Sequence, residues 1–185
     1  MISLFASSLS TGKNSLKYFC TSVSGDNDDF TAVGLLNDVQ FIYFDINTMK
    51  ASPKTDWMRQ NEKSDLWKKQ TLSLIRQHHL ILSNVWTKST GKHTYQLIYG
   101  CEWNDETGQI NGIRLSGYDG EDFMFLDFKR EKWVSKTHQA FSLQERCNNE
   151  TIRFQYWKNY LENDCVESLK EFLQFGKRSL EKTGT

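Results

Sequence analysis

The chain has 185 residues, 38% of them hydrophobic and 14% aromatic, and its 23 lysines and arginines balance 23 aspartates and glutamates. That length suits one large domain, and so many aromatics can fill a core, which sets disorder aside. A zero net charge argues against a nucleic-acid binder, which normally carries a basic excess, and no run of 18 apolar residues exists to span a membrane.

Residues 1–13 hold a faint apolar series (Ile2, Leu4, Phe5, Leu9) without a positive start, so they read as an irregular segment or a leader remnant. A period of two then sets in. Leu16, Tyr18, Cys20 and Ser22 share one side of a strand, and Lys17, Phe19, Thr21 and Val23 the other. Residues 25–29 make a polar turn. The apolar runs 30–36 and 39–45, joined by Asn37-Asp38, read as a hairpin. Between 54 and about 86 the period changes. Trp57, Trp67, Leu72, Ile75, His79, Leu82 and Trp86 recur near three-to-four spacing, which predicts one long helix broken at 89–92. Strands return where Tyr95, Leu97, Tyr99 and Cys101 alternate with Gln96, Ile98 and Gly100, followed by strands at 110–117 and 123–128. Roughly the last 50 residues are helical, with a stripe of Ile152, Tyr156, Tyr160, Val166, Leu169 and Phe172.

The order is four strands and a helix, twice over, with halves at 14–92 and 93–185. Strands grouped before helices argue for an α+β fold: an eight-stranded antiparallel sheet topped by two long helices. Two helices kept apart on one face of such a sheet leave a cleft suited to elongated ligands.

No constellation supports an enzyme. His78 and His79 are adjacent, so on a helix they point about 100° apart. There is no HExxH, GxSxG or Walker motif. The acidic run after Gly25 lacks the closing glutamate of a calcium loop, and Glu121 and Asp122 face opposite ways in a strand. No metal and no cofactor is expected. The cysteines Cys20, Cys101, Cys147 and Cys165 lack zinc-site spacing, and spacing alone leaves three full disulfide pairings open.

Five segments, in order and at matching spacing, carry a resemblance. They are Ser15-Leu-Lys-Tyr-Phe, Val33-Gly-Leu-Leu-Asn-Asp-Val-Gln, Tyr99-Gly-Cys-Glu-Trp, Gly117-Tyr-Asp-Gly-Glu-Asp-Phe and Trp157-Lys-Asn-Tyr-Leu-Glu-Asn-Asp-Cys. Over about residues 14–183 the chain resembles the α1–α2 platform of major histocompatibility complex class I heavy chains, and looks most like those of bony fishes. The resemblance implies a disulfide between Cys101 and Cys165, for which the chain-entropy model gives ~4–5 kcal/mol at most, and with it a secretory route. It puts Cys20 on the groove floor and Cys147 on the second helix facing inward, as buried thiols. Asn149-Glu-Thr151 is a glycosylation sequon. The family continues into an immunoglobulin-like domain, a membrane span and a tail, so the chain reads as a fragment or as a platform-only protein.

Family members that present peptides hold both peptide ends with polar side chains. Tyr18 and Tyr160 match that set. Leu66 and Phe172 stand where the family has tyrosines, Leu143 replaces a threonine, Cys147 a tryptophan and Arg146 a lysine, and Val85 lies near a tyrosine or arginine position. Each lost hydrogen bond to a charged terminus removes ~1.5–3 kcal/mol, so the resemblance implies a non-classical molecule. Tyr95, Leu97, Tyr99, Arg114 and Tyr156 complete the expected groove, whose ligand is an apolar small molecule, a lipid or a peptide. Phe19, Thr21, Val23, Gln96, Ile98 and Asp122 alternate away from it, on the face that in the family docks on beta-2-microglobulin. The implied role is display of a groove ligand to T-cell or natural-killer-type receptors outside the cell. The alternatives are a ligand-free platform that is itself the receptor's ligand, and peptide presentation of the classical kind.

Overall fold

The computed structural model describes residues 12–25, 28–86 and 90–183. Most of the expected leader segment, part of the 25–29 turn and Ser89 of the expected helix break lie outside them. The alternating segments form β1 (Lys13–Val23), β2 (Asp29–Leu36), β3 (Val39–Asp45), β4 (Lys50–Pro53), β5 (Thr94–Asn104), β6 (Ile110–Tyr118), β7 (Glu121–Asp127) and β8 (Lys132–Ser135). They make one antiparallel sheet in the order β4-β3-β2-β1-β5-β6-β7-β8. The first strand of each half meets at the centre, with Tyr18 opposite Tyr99 and Cys20 opposite Leu97. Gly100 is required there, since a Cβ would sit 2.1 Å from the Leu16 carbonyl oxygen. The Asn37-Asp38 hairpin is tight because both residues take positive φ, 47° and 64°, which Asn and Asp tolerate.

The upper face of the sheet carries the core. Leu16, Tyr18, Cys20, Tyr95, Leu97 and Tyr99 are all buried, while Phe19 on the lower face is 38% exposed. The first helical arm is not the single helix that the spacing predicts. It is α1 (Asp56–Arg59) and α2 (Asp65–Asn84). The break follows from capping: Thr55 accepts from the Met58 amide and Ser64 from the Trp67 amide, so each starts its own helix. The inward face of α2 also differs from the apolar stripe. It is built from Leu66, Trp67, Gln70, Leu74, Gln77, His78 and Ile81, whereas Leu72 is 65% exposed and His79 lies outside. Polar Gln70, Gln77 and His78 occupy inward positions that a count of apolar residues passes over.

The second arm is likewise segmented into α3 (Phe141–Asn149), α4 (Thr151–Asn159), a π-helical turn (Tyr160–Asp164) and α5 (Cys165–Thr183). Glu150, at φ −101° and ψ 83°, breaks the helix between α3 and α4. The π turn rests on β6 at Gly112, where a Cβ would come within 3.0 Å of Leu161 Cβ. Immediately after it, Cys165 is bonded to Cys101 on β5, the pairing that the resemblance implies. Cys20 and Cys147 are free and buried.

The two arms touch across the sheet. The Tyr18 hydroxyl donates to Gln70 Oε1, and Gln70 Nε2 donates to Ser168 Oγ at 3.3 Å. Beyond this bridge Phe172 is fully buried against Phe41, ring centroids 4.7 Å apart, and Trp57. The expected separation of the helices therefore fails at this end, because the protein's own aromatic side chains fill the space.

Three outcomes follow from this packing. Replacing Cys101 and Cys165 together by alanine frees a loop with a sequence separation of 64. The urea midpoint should fall by an amount equivalent to about 4 kcal/mol; an unchanged midpoint would show that the bond constrains nothing. Gln70→Leu strands the buried Tyr18 and Ser168 hydroxyls and should cost about 1–3 kcal/mol, and adding Tyr18→Phe should recover part of that in thermal melts. His78 is held below its ordinary pKa by burial first and by His79 second, with Asp28 and Asp29 opposing. The unfolded chain then binds this proton more readily, so stability is full above about pH 6.5 and declines as the pH falls toward the lowered value. His78→Phe should flatten that decline in Tm, and a slope identical to wild type would refute the assignment.

Candidate functional site

Between α2 and the α3–α4 arm lies a cavity of about 530 Å³. Beyond its lining, toward α1, the arms meet at the Gln70–Ser168 bridge and the Phe172 aromatic cluster. At the far end of α2 the arms are joined again. Arg146 Nη2 donates to the Asn84 carbonyl at 3.1 Å, and Arg153 Nη1 donates to Asn84 Oδ1 at 2.9 Å. The first-arm residues that line the cavity run from Arg76 on α2 to its C-cap Val85, about 14 Å at 1.5 Å per residue. The open part of the groove is thus a chamber bounded at both ends.

Its charge is one-sided. Arg76, Arg114, Arg146 and Arg153 line it, and no aspartate or glutamate does. Arg153 also pairs with Glu150 beside the chamber. Arg114 rises from β6 on the floor, its guanidinium carbon 4.5 Å from the Trp133 ring centroid and 4.3 Å from that of Trp157. Its Nε and Nη1 are buried without a hydrogen-bond partner of normal geometry. Burial lowers its pKa, with Tyr95 working against the change, yet a guanidinium stays a cation at neutral pH. Cys147 faces the same space. Burial raises its thiol pKa, and Arg153, Arg114 and Arg146 pull it back, so the group rests as a thiol. Among the described residues no group of three or more His, Cys, Asp or Glu could hold a metal ion, and no helix is long and apolar enough to cross a membrane.

Of the residues expected in the groove, Tyr95, Arg114, Leu143, Arg146, Cys147 and Tyr156 line this chamber. The others are placed elsewhere. Leu66 and Phe172 are packed in the closed half, and Tyr18, Cys20, Leu97 and Tyr99 are buried in the floor. Tyr160 sits over Tyr99, ring centroids 6.0 Å apart. Burial pushes the hydroxyls of Tyr18, Tyr99 and Tyr160 up, and the Cys20 thiol up to about 12, so none of them ionises near neutral pH. Sequence reasoning missed Arg76, Asn84, Trp133, Arg153 and Trp157. A seven-residue spacing from Arg146 would put Arg153 on the same face of an unbroken helix, but the break at Glu150 separates them. Nothing local marked Trp133, which reaches the chamber from β8.

On the lower face Phe19, Thr21, Gln96, Ile98 and Asp122 gather around a shallow recess of about 220 Å³, and Val23 lies outside its lining. Leu115, which the sequence did not flag, joins them and is 38% exposed. Asn149 is exposed at the end of α3.

The comparisons with known proteins agree with this architecture. The model of the family described as class I histocompatibility antigen, domains alpha 1 and 2, matches residues 12–180. The chain is 29% identical over 189 residues to the major histocompatibility complex class I-related protein 1 of Mus musculus, and 30% identical over 182 residues to the protein of that name in Rattus norvegicus. Both matches cover 94% of the chain, which spans about half the length of these relatives, 53% and 52%. With the sheet, both helical arms and the floor-to-helix disulfide all inside the matched range, the chain belongs to the class I histocompatibility antigen family and forms its alpha 1 and alpha 2 platform.

Proposed function

We propose that this chain is a non-classical class I-like platform that displays a compact, non-peptide ligand in its bounded chamber to immune-cell receptors. The observation that carries this reading is the closure of half the groove by the Tyr18–Gln70–Ser168 bridge and the Phe172 cluster. What remains is about 530 Å³, a volume typical of sites that bury small molecules. At about 3.4 Å per extended residue, the lining stretch of α2 accommodates only about four residues of a straight peptide. The missing polar anchors at Leu66, Phe172, Leu143 and Cys147 point the same way. The platform works by binding and not by catalysis, as two halves divided near residue 92.

Its partner on the lower face is beta-2-microglobulin, received by Phe19, Thr21, Val23, Gln96, Ile98 and Asp122. Exposed Phe19 and Leu115 supply the apolar contact that such docking needs. The setting is the outside of the cell, where the Cys101–Cys165 bond persists and Asn149 can carry a glycan. A second reading, in which the helices themselves are the receptor's target and the chamber stays empty, draws on the same closure. A protein that fills half its groove with its own side chains needs less from a ligand to fold.

Co-secretion of the full chain with beta-2-microglobulin, then extraction of the complex and mass spectrometry, separates these readings. A single class of small molecule is expected. A folded, empty complex would favour the direct receptor target, and peptides of narrow length would overturn the non-classical reading. Phe19→Asp with Ile98→Asp should weaken beta-2-microglobulin binding by about a hundredfold or more in surface plasmon resonance, as loss of apolar anchors does. Unchanged binding would move the partner off this face.

A further inference from the structure

We propose that the occupant of the chamber is an anion: a compact molecule with a planar or aliphatic body and a carboxylate or phosphate head, the head held by Arg114 and the arginines around it. This rests on the reading of the chamber as the ligand site and adds the chemistry of the ligand. Four guanidinium groups, Arg76, Arg114, Arg146 and Arg153, line one cavity of about 530 Å³, and no carboxylate lines it. Glu150, beside the chamber, is already engaged by Arg153. Arg146 and Arg153 spend part of their donor capacity on Asn84. Arg76 and Arg114 make no ion pair among the described residues.

Arg114 is the buried cation of the chamber floor. A guanidinium taken out of water needs a counter-charge or a full set of acceptors; this one has no ion pair among the described residues, and two of its three nitrogens have no acceptor. Its Nε and Nη1 are sealed in without hydrogen-bond partners, and the Tyr95 hydroxyl is the polar group that works on the cation. The rings of Trp133 and Trp157, 4.5 and 4.3 Å away, hold the cation in place but accept no hydrogen bond in the plane of the group. An anion in the chamber would supply the missing counter-charge. The same tryptophans, with Tyr156, Leu80 and Ile81, offer a flat apolar surface for the rest of the molecule. A neutral lipid would leave the buried Arg114 guanidinium facing hydrocarbon without a counter-charge, whereas Arg76 and Arg146 are exposed to solvent. An extended peptide would bring a single carboxylate on a body too long for the chamber.

The test uses the purified full chain and defined probes, so it does not depend on isolating a natural ligand. Isothermal titration calorimetry with 2-naphthoate, 2-naphthyl phosphate and the uncharged 2-naphthamide compares one planar body with and without charge. At least one anion is expected to bind about tenfold or more tightly than the amide, with an affinity that falls as salt rises, and the tighter anion assigns the head group. Equal affinity for acid and amide overturns the proposal, and this arm needs no variant to fold. Arg114→Met should remove about tenfold of the anion's affinity and leave the amide unchanged, while Arg114→Lys should keep most of the anion's affinity. An Arg114→Met protein that folds and binds both anions as wild type does would overturn it as well. Anion binding by a protein whose cell extracts hold no groove ligand would sink the display reading and leave the anion site standing.

Discussion

The bond between Cys101 and Cys165 fixes the second helical arm over the sheet, and much of the site depends on where that arm rests. Cys101 is on β5, one of the two strands at the centre of the sheet, so α5 is held against the middle of the floor. The π turn just before Cys165 descends onto β6, where Gly112 leaves room for Leu161. From that anchor α5 runs toward α1, which carries Ser168 to Gln70 and Phe172 into the ring cluster of Phe41 and Trp57. The closed half of the groove is thus a consequence of how one arm is tethered.

Closure at one end gives the other end its character. With the Tyr18 side filled, the open space lies along residues 76–85 of the first arm, and its lining is concentrated in one stretch of each arm. That stretch is rich in arginine. Cations of one sign in a cavity with low-dielectric walls strengthen one another's field, and the cavity favours charge of the opposite sign. Arg114 pays for its place on the floor with two unpartnered nitrogens, partly offset by the tryptophan rings on either hand. The buried thiols contribute volume and little reactivity, since burial holds Cys20 and Cys147 protonated. The upper and lower faces of the sheet divide the work. Period two sends Tyr95, Leu97 and Tyr99 into the core and sends Phe19, Gln96 and Ile98 toward a partner's surface.

Much of this was legible in the residues. Alternation marked the strands and the two faces of β1 and β5, because a strand has only two sides and the pattern is strict. Asn37-Asp38 announced its turn through tolerance of positive φ. The helical arms were legible as regions and not as elements. The caps at Thr55 and Ser64 and the break at Glu150 are decided by a few hydrogen bonds and by the tether at Cys165, which leave little trace in hydrophobic periodicity. The inward face of α2 was misjudged at Leu72 and His79 because Gln70, Gln77 and His78 are polar residues with buried positions.

What the sequence by itself determined is the platform: strand order, face alternation, the α+β class and, through five motifs, the family and its disulfide. The strands and their faces follow from local periodicity, and the family and its disulfide from the resemblance that the motifs carry. Only the tertiary structure decided which expected groove residues meet. Tyr18 and Arg146 are 128 positions apart and both belong to the expected groove, yet one ends in a closed half and the other beside a chamber. That outcome turns on the approach of two helices and the filling of the gap by Phe172, and on long-range neighbours such as Trp133 beside Arg114. Contacts between residues distant along the chain are set by packing, and no local pattern encodes them.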